Sequence, residues 1–249
     1  MATFVLIHGG WGGGWEWREV ERFLRERGHE VTRPTLTGLG ERTHLSSAAV
    51  TLATHVEDVV RHFEFEGLTD AVLCGHSYGG MVVTGAAERI TDRLRCVVYI
   101  DAFVPRDGES LFDLLPPEWA SMLRASASDG VVPVPLSFEE TASTHGAWYA
   151  QRTVGQPLGT FEQAAQLSGG SPTIPRAYIR CLESDVPVEP PPGALGRPAG
   201  HTASSPQDTT RRSRIQPVSP TCSQRSCATN RRNRIRSRHL VGRAWFPGS

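Results

Sequence analysis

The sequence predicts an α/β protein, a mostly parallel sheet flanked by helices with a helical cap inserted over it, and three observations carry that prediction. Short apolar runs at Phe4-Val5-Leu6-Ile7, Ala71-Val72-Leu73-Cys74 and from Arg95 to Ile100 alternate with stretches of helical period. The second of these runs leads through a glycine turn directly into a helix of small residues. From about residue 106 to 175 the alternation stops, and short amphipathic pieces separated by prolines and glycines replace it. A chain of 249 residues suffices for one such domain.

Taken in order, the first strand ends at His8 and a glycine-rich loop, and Trp15, Val20, Phe23 and Leu24 then recur at near-helical spacing. Gly28 closes that helix, Glu30 to Thr32 is a brief strand, and residues 34–45 form a loop containing Gly38 and Gly40. Leu52, Val56, Val59, Val60 and Phe63 make one apolar face of a helix from Thr51 to Phe65, which Gly67 terminates. A strand from Ala71, a helix from about Ser77 to Ile90 and a strand from Arg95 to Ile100 follow. Pro116-Pro117, Pro133, Pro135, Pro157 and Gly169-Gly170 punctuate the cap, after which Arg176 to Leu182 restores one more strand.

Composition divides the chain at about residue 190. Residues 1–190 hold 25 acids against 15 arginines, whereas residues 191–249 hold one acid, Asp208, against 11 arginines, so a net charge of zero conceals two dissimilar parts. The first is expected to be the folded domain. The second, rich in Arg, Ser, Pro and Thr, has too little apolar surface to offset the entropy of ordering and is expected to be a disordered tail. Its only clustered aromatics are Trp245 and Phe246, so no nucleic-acid partner is expected. No apolar run approaches the roughly 20 residues of a membrane span, and Met1 leads straight into a strand without a secretory signal, which makes cytoplasm the expected location. Cys74, Cys96 and Cys181 lie in or beside apolar runs, and Cys222 and Cys227 lack a second pair of ligands, so neither a structural disulfide nor a metal site is expected.

The chemistry is concentrated in Gly75-His76-Ser77-Tyr78-Gly79, a G-x-S-x-G turn between an apolar strand and a small-residue helix. A serine hydroxyl attacks only when a base takes its proton and N–H groups stabilise the oxyanion, so the turn must expose the side chain at a helix N-terminus. Ser77 is therefore the candidate nucleophile, with the N–H groups of Gly10 and Tyr78 as the candidate oxyanion hole. His8 ends a buried strand ahead of the serine, where its expected role is to hold the loop by hydrogen bonds.

Phe4 to Gly10, Gly13-Gly14-Trp15-Glu16-Trp17, Gly28-His29-Glu30-Val31 and Gly75 to Gly80 together resemble the branch of the α/β-hydrolase superfamily that holds plant methylesterases, hydroxynitrile lyases and related bacterial esterases. The resemblance runs to about Leu182 and implies the α/β-hydrolase fold with a mainly helical cap over a small apolar pocket. It also implies no cofactor, a small-molecule ester as partner, and carboxylesterase chemistry through an acyl-enzyme on Ser77. At Gly12, where many relatives carry His, this chain departs from the pattern.

The family places an acid after the penultimate strand and a histidine in the loop after the last one. Asp185 fits the acid, with Glu183 and Asp101 as rivals, while the base is sought at His201, in Pro198-Ala199-Gly200-His201-Thr202, with His239 as the other downstream histidine. No apolar strand separates Asp185 from His201, and a shift of reading frame between Leu182 and Arg197 accounts for that gap together with the arginine-rich tail. Two alternatives follow: a hydrolase-fold binding protein without a complete triad, and a cyanohydrin lyase, which the absence of lysine disfavours. Trp11, Phe103, Leu111, Trp119, Met122, Trp148 and Tyr149 are the candidate pocket residues, and nothing in the sequence decides oligomeric state.

Overall fold

The computed structural model describes residues 1–135, 144–168, 174–181 and 214–217. Strands β1 (Thr3–Ile7), β2 (Glu30–Thr32), β3 (Ala71–His76) and β4 (Leu94–Ile100) alternate with helices α1 (Arg18–Arg25), α2 (Leu52–Phe65) and α3 (Gly79–Arg89). The cap follows as α4 (Leu111–Leu114), α5 (Pro117–Ser126), β5 (Val131–Val132), α6 (Thr144–Ala150), β6 (Gln156–Pro157) and α7 (Gly159–Glu162). Strands β7 (Arg176–Arg180) and β8 (Arg214–Pro217) complete a sheet of order β2-β1-β3-β4-β7-β8, parallel throughout except that β8 runs antiparallel to β7.

Alternation along each strand sends successive side chains to opposite faces. Val5, Ile7, Ala71, Leu73, Val97 and Tyr99 join α2 and α3 in the main core. Leu6, Val72 and Cys74 form a second core with Trp17 and Val31, against which Val20 and Leu24 of α1 pack. Both faces are thus covered by helices, as a parallel sheet requires. Helix α2 starts where the Thr54 hydroxyl accepts the Thr51 N–H at 3.2 Å, satisfying one donor that the helix itself leaves open.

Three boundaries differ from the sequence reading. The stretch from residue 15 opens as a 3-10 turn, Gly14–Trp17, before α1 begins. Helix α3 begins at Gly79 rather than Ser77, because Ser77 adopts φ +50, which no α-helix accommodates. In the segment expected to lack regular structure, residues 214–217 form β8, which pairs with the otherwise open backbone of β7; Pro217 is tolerated on this outer strand. The rest of residues 191–249 lies outside the described residues. Cys74 is buried, Cys96 and Cys181 are partly buried, and burial pushes the Cys74 thiol pKa up. Among the described residues no helix is long and apolar enough to cross a membrane, and no cluster of three His, Cys, Asp or Glu is placed to hold a metal ion.

Candidate active site

At the end of β3 the backbone turns through Ser77 at φ +50, a left-handed conformation that a non-glycine residue holds only when its surroundings impose it. The Ser77 N–H donates to the Ile100 carbonyl (3.3 Å), and the Ser77 carbonyl accepts from Gly80 (3.0 Å) and Phe103 (3.1 Å), so the turn is pinned to the end of β4. The glycines around it are required by close approach. A Cβ on Gly75 would lie 2.6 Å from the Gly79 carbonyl oxygen, one on Gly79 would lie 2.6 Å from the His8 oxygen, and one on Gly80 would lie 2.2 Å from the Phe103 oxygen. Only glycine lets α3 start hard against β1 and β4, and that contact raises the serine at the helix N-terminus.

Strand β1 lies beside β3, with Leu6 opposite Cys74 and Ile7 opposite Gly75, so the loop His8 to Trp11 emerges next to the turn. His8 is fully buried; its Nδ1–H donates to the Gly9 carbonyl (2.8 Å) and its Nε2 accepts the Leu36 N–H (3.1 Å). Burial lowers its pKa to about 4, with the Gly9 hydrogen bond opposing, which keeps the ring neutral and fits a loop-holding role. Tyr78 is 1% exposed, and its hydroxyl donates to Nδ1 of the buried His55 (2.9 Å), whose Nε2–H donates to the Thr37 carbonyl (2.8 Å). Among the described residues, the N–H groups of Gly10 and Tyr78 donate to no acceptor.

The strand–turn–helix with its left-handed serine stands beside a glycine loop that follows the neighbouring strand, and comparison with known proteins gives the family to which this fold belongs. The profile described as the alpha/beta hydrolase family matches residues 4–217. The chain belongs to the alpha/beta hydrolase family. A carbendazim hydrolyzing esterase of Nocardioides sp. (strain SG-4G) is 45% identical to it over 192 residues, 72% of this chain and 79% of that protein. Methylesterase 2 of Arabidopsis thaliana is 31% identical over 209 residues, 74% of this chain and 78% of the relative. Among solved structures, an extracellular alpha/beta-hydrolase from a Paenibacillus species, described as sharing structural and functional homology with Tobacco Salicylic Acid Binding Protein 2, gives a TM-score of 0.65 at 30% identity. That similarity covers 72% of this chain and 76% of the other. The chain is thus an enzyme of a hydrolase family whose similar members are named as esterases.

The remaining predicted residues of this hydrolase are placed less completely. Asp185, Glu183, His201 and His239 lie outside the described residues. Asp101, at φ +45 and 7% exposed, accepts the Cys181 N–H at Oδ1 (3.3 Å), while its own N–H donates to the Ile179 carbonyl (2.8 Å), so it ties the end of β4 to the end of β7. Of the pocket candidates, Phe103 and Leu111 are buried in the main core with Trp11 packed against it, whereas Met122 is 56% exposed and faces solvent. Met122 sits on the outer side of α5, whose inner side is set by Ala120 and Leu123.

Four polar residues escaped the sequence reading: Glu16, His55, Gln156 and Thr160. A Cβ on Gly12 would lie 1.5 Å from Glu16 Oε1, so the carboxyl fills the room that a side chain at position 12 would need. Tyr149 of α6 donates to it (3.0 Å), and burial raises the Glu16 pKa to about 7, with the Tyr149 hydrogen bond opposing. The departure at Gly12 was the signal for this residue. Gln156 and Thr160, both fully buried, sit in a proline-containing segment with no periodicity, where sequence offers no comparable signal.

Proposed function

We propose that this chain is a serine carboxylesterase that cleaves a small, fairly apolar ester. Ser77 Oγ attacks the ester carbonyl while the N–H groups of Gly10 and Tyr78 hold the oxyanion. Collapse of the intermediate breaks the ester C–O bond and releases the alcohol, protonated by the base with the proton taken from Ser77, and water then hydrolyses the acyl-enzyme to the acid and free serine. His201 serves as the base and Asp185 as the acid that orients it. The reading rests on one observation above the others: Ser77 is held at φ +50 between a buried strand and a helix that opens on Gly79 and Gly80. An apolar substrate is supported by the aromatic surroundings, since Phe161 meets Trp11 at 5.2 Å, Tyr78 at 5.3 Å and Phe112 at 5.9 Å between ring centroids. Carbendazim and small methyl esters, after the relatives' names, are the first substrates to assay.

Purified protein treated with a fluorophosphonate and assayed in parallel with p-nitrophenyl acetate tests the reading. Labelling and turnover that both vanish in Ser77→Ala support it, and loss of turnover in His201→Ala and Asp185→Ala then assigns the base and the acid. Folded protein that neither labels nor turns over overturns it and leaves a hydrolase-fold binding protein. In that event, translation of the gene in its other frames should yield an apolar strand, a Gly-His motif and an amphipathic helix after residue 182.

A further inference from the structure

Trp11 follows the candidate oxyanion donor Gly10 and is itself left-handed, at φ +59, which an aromatic residue adopts only under constraint. The cap supplies that constraint at three points. The Trp11 N–H donates to Gln156 Oε1 (2.8 Å), its carbonyl accepts the Val154 N–H (2.9 Å), and its indole N–H donates to the Val132 carbonyl (3.2 Å). Gln156 is fully buried and satisfied at its other end, where Nε2 donates to Thr160 Oγ1 at 2.6 Å. Thr160 Oγ1 donates in turn to the Pro157 carbonyl (2.6 Å), and the next residue, Phe161, packs on the rings of both Trp11 and Tyr78. A Cβ on Gly10 would lie 3.2 Å from Phe161 Cζ and 3.7 Å from Gln156 Oε1, so the clamp closes directly over Gly10.

We infer that Gln156 is a positioning residue of the oxyanion hole: by accepting the Trp11 N–H and donating to Thr160, it fixes the Gly10 loop against the turn that carries Tyr78. Two consequences follow from the geometry. The Trp11 N–H is turned towards the cap, which leaves the Gly10 N–H as the donor on this side of the site. The two halves of the oxyanion hole, on separate strands, are held in register by one cap segment, Gln156 to Phe161. A preorganised donor pair of this kind contributes only when charge develops on the substrate oxygen, so its loss falls on kcat rather than on KM.

The inference rests on Ser77 being the nucleophile, and the test separates the two. Gln156→Met keeps the volume and removes both hydrogen bonds, while Gln156→Glu retains an acceptor for the Trp11 N–H. With rates referred to the sites that fluorophosphonate labels, Gln156→Met should lose about 10- to 100-fold in kcat while KM changes by less than about threefold. Gln156→Glu should restore most of the loss, and affinity for a trifluoromethyl ketone, whose adduct carries the oxyanion, should fall in parallel with kcat/KM. A loss confined to the labelled fraction, or one falling on KM alone, overturns the inference. Should the unsubstituted chain show no turnover, the amide cross-peaks of Gly10 and Tyr78 read the coupling directly. Both should move in Gln156→Met while those of the distant Gly28 and Gly67 stay in place, and an unmoved Tyr78 amide overturns the inference independently of Ser77.

Discussion

The serine turn and the loop facing it are held by different means. Gly75, Gly79 and Gly80 are fixed by backbone atoms of the turn and of the two neighbouring strands, at separations that admit no Cβ. Trp11 is fixed by hydrogen bonds to groups 121 and 145 positions further along the chain, all contributed by the cap. The first is a steric construction in which an added carbon has nowhere to go; the second is a polar one in which a lost partner leaves the packing intact and changes an orientation. Substitutions in the turn should therefore cost the fold, and those in the clamp should cost rate.

The largest effect is expected at Gly80. Its Cβ would meet the Phe103 oxygen at 2.2 Å and Ala102 Cβ at 2.8 Å, neither of which can move without displacing the end of β4. Gly80→Ala should destabilise by about 3 kcal/mol or more, read as a lowered urea midpoint together with lost labelling at Ser77. A variant as stable as the unsubstituted protein would remove the steric half of the comparison.

Acid should strain both regions at once. Burial lowers the pKa of His76 in the turn, His8 in the loop and His55 behind Tyr78 from 6.5 to about 4. The unfolded chain then takes up protons that the folded one refuses, so stability present above pH 6.5 is lost as the pH falls towards 4, by up to about 3 kcal/mol per histidine. Glu16 acts in the opposite sense and on the loop side alone. Its pKa is raised from 4.5 to about 7, so stability present below pH 4.5 is lost as the pH rises through 7, by at most about 3 kcal/mol. Urea titrations across pH 4 to 8 should show Glu16→Gln more stable than the unsubstituted protein at pH 8, with the acid limb of the histidines unchanged. Equal stability of the two at pH 8 would mean that the enclosed carboxyl carries no such penalty.

The smallest effect provides the control. Gly28 has φ +77 with nothing within 4 Å of the Cβ position, so Gly28→Ala meets strain without a clash. It should cost about 1 kcal/mol and leave turnover per labelled site unchanged. A loss as large as that at Gly80 would show that close approach is not what distinguishes the turn.

Most of this division was legible beforehand. The continuous apolar runs Phe4 to Ile7 and Ala71 to Cys74 announced strands buried on both faces, and Gly75-His76-Ser77-Tyr78-Gly79 announced the turn, because both signals are local in sequence. Gly12 next to Glu16 was half legible: the departure was visible, but not that a carboxyl four residues on would fill the space. Gln156 and Thr160 were not legible, since a buried polar side chain has no period and its partner lies on another element. The strand at residues 214–217 was missed for a related reason: its place comes from the open edge of β7 and not from a pattern of its own.

The sequence by itself determined the order of strands and helices, the two faces of the sheet and the serine turn, because those follow from side-chain periodicity and from glycine spacing over a few residues. Only the tertiary structure decided what holds Trp11 left-handed, which carboxyl fills the space at Gly12 and how the cap ties Gly10 to Tyr78. Those depend on hydrogen bonds and close contacts between residues far apart in the chain, and such contacts exist only once the sheet has brought the loops together and the cap has closed over them.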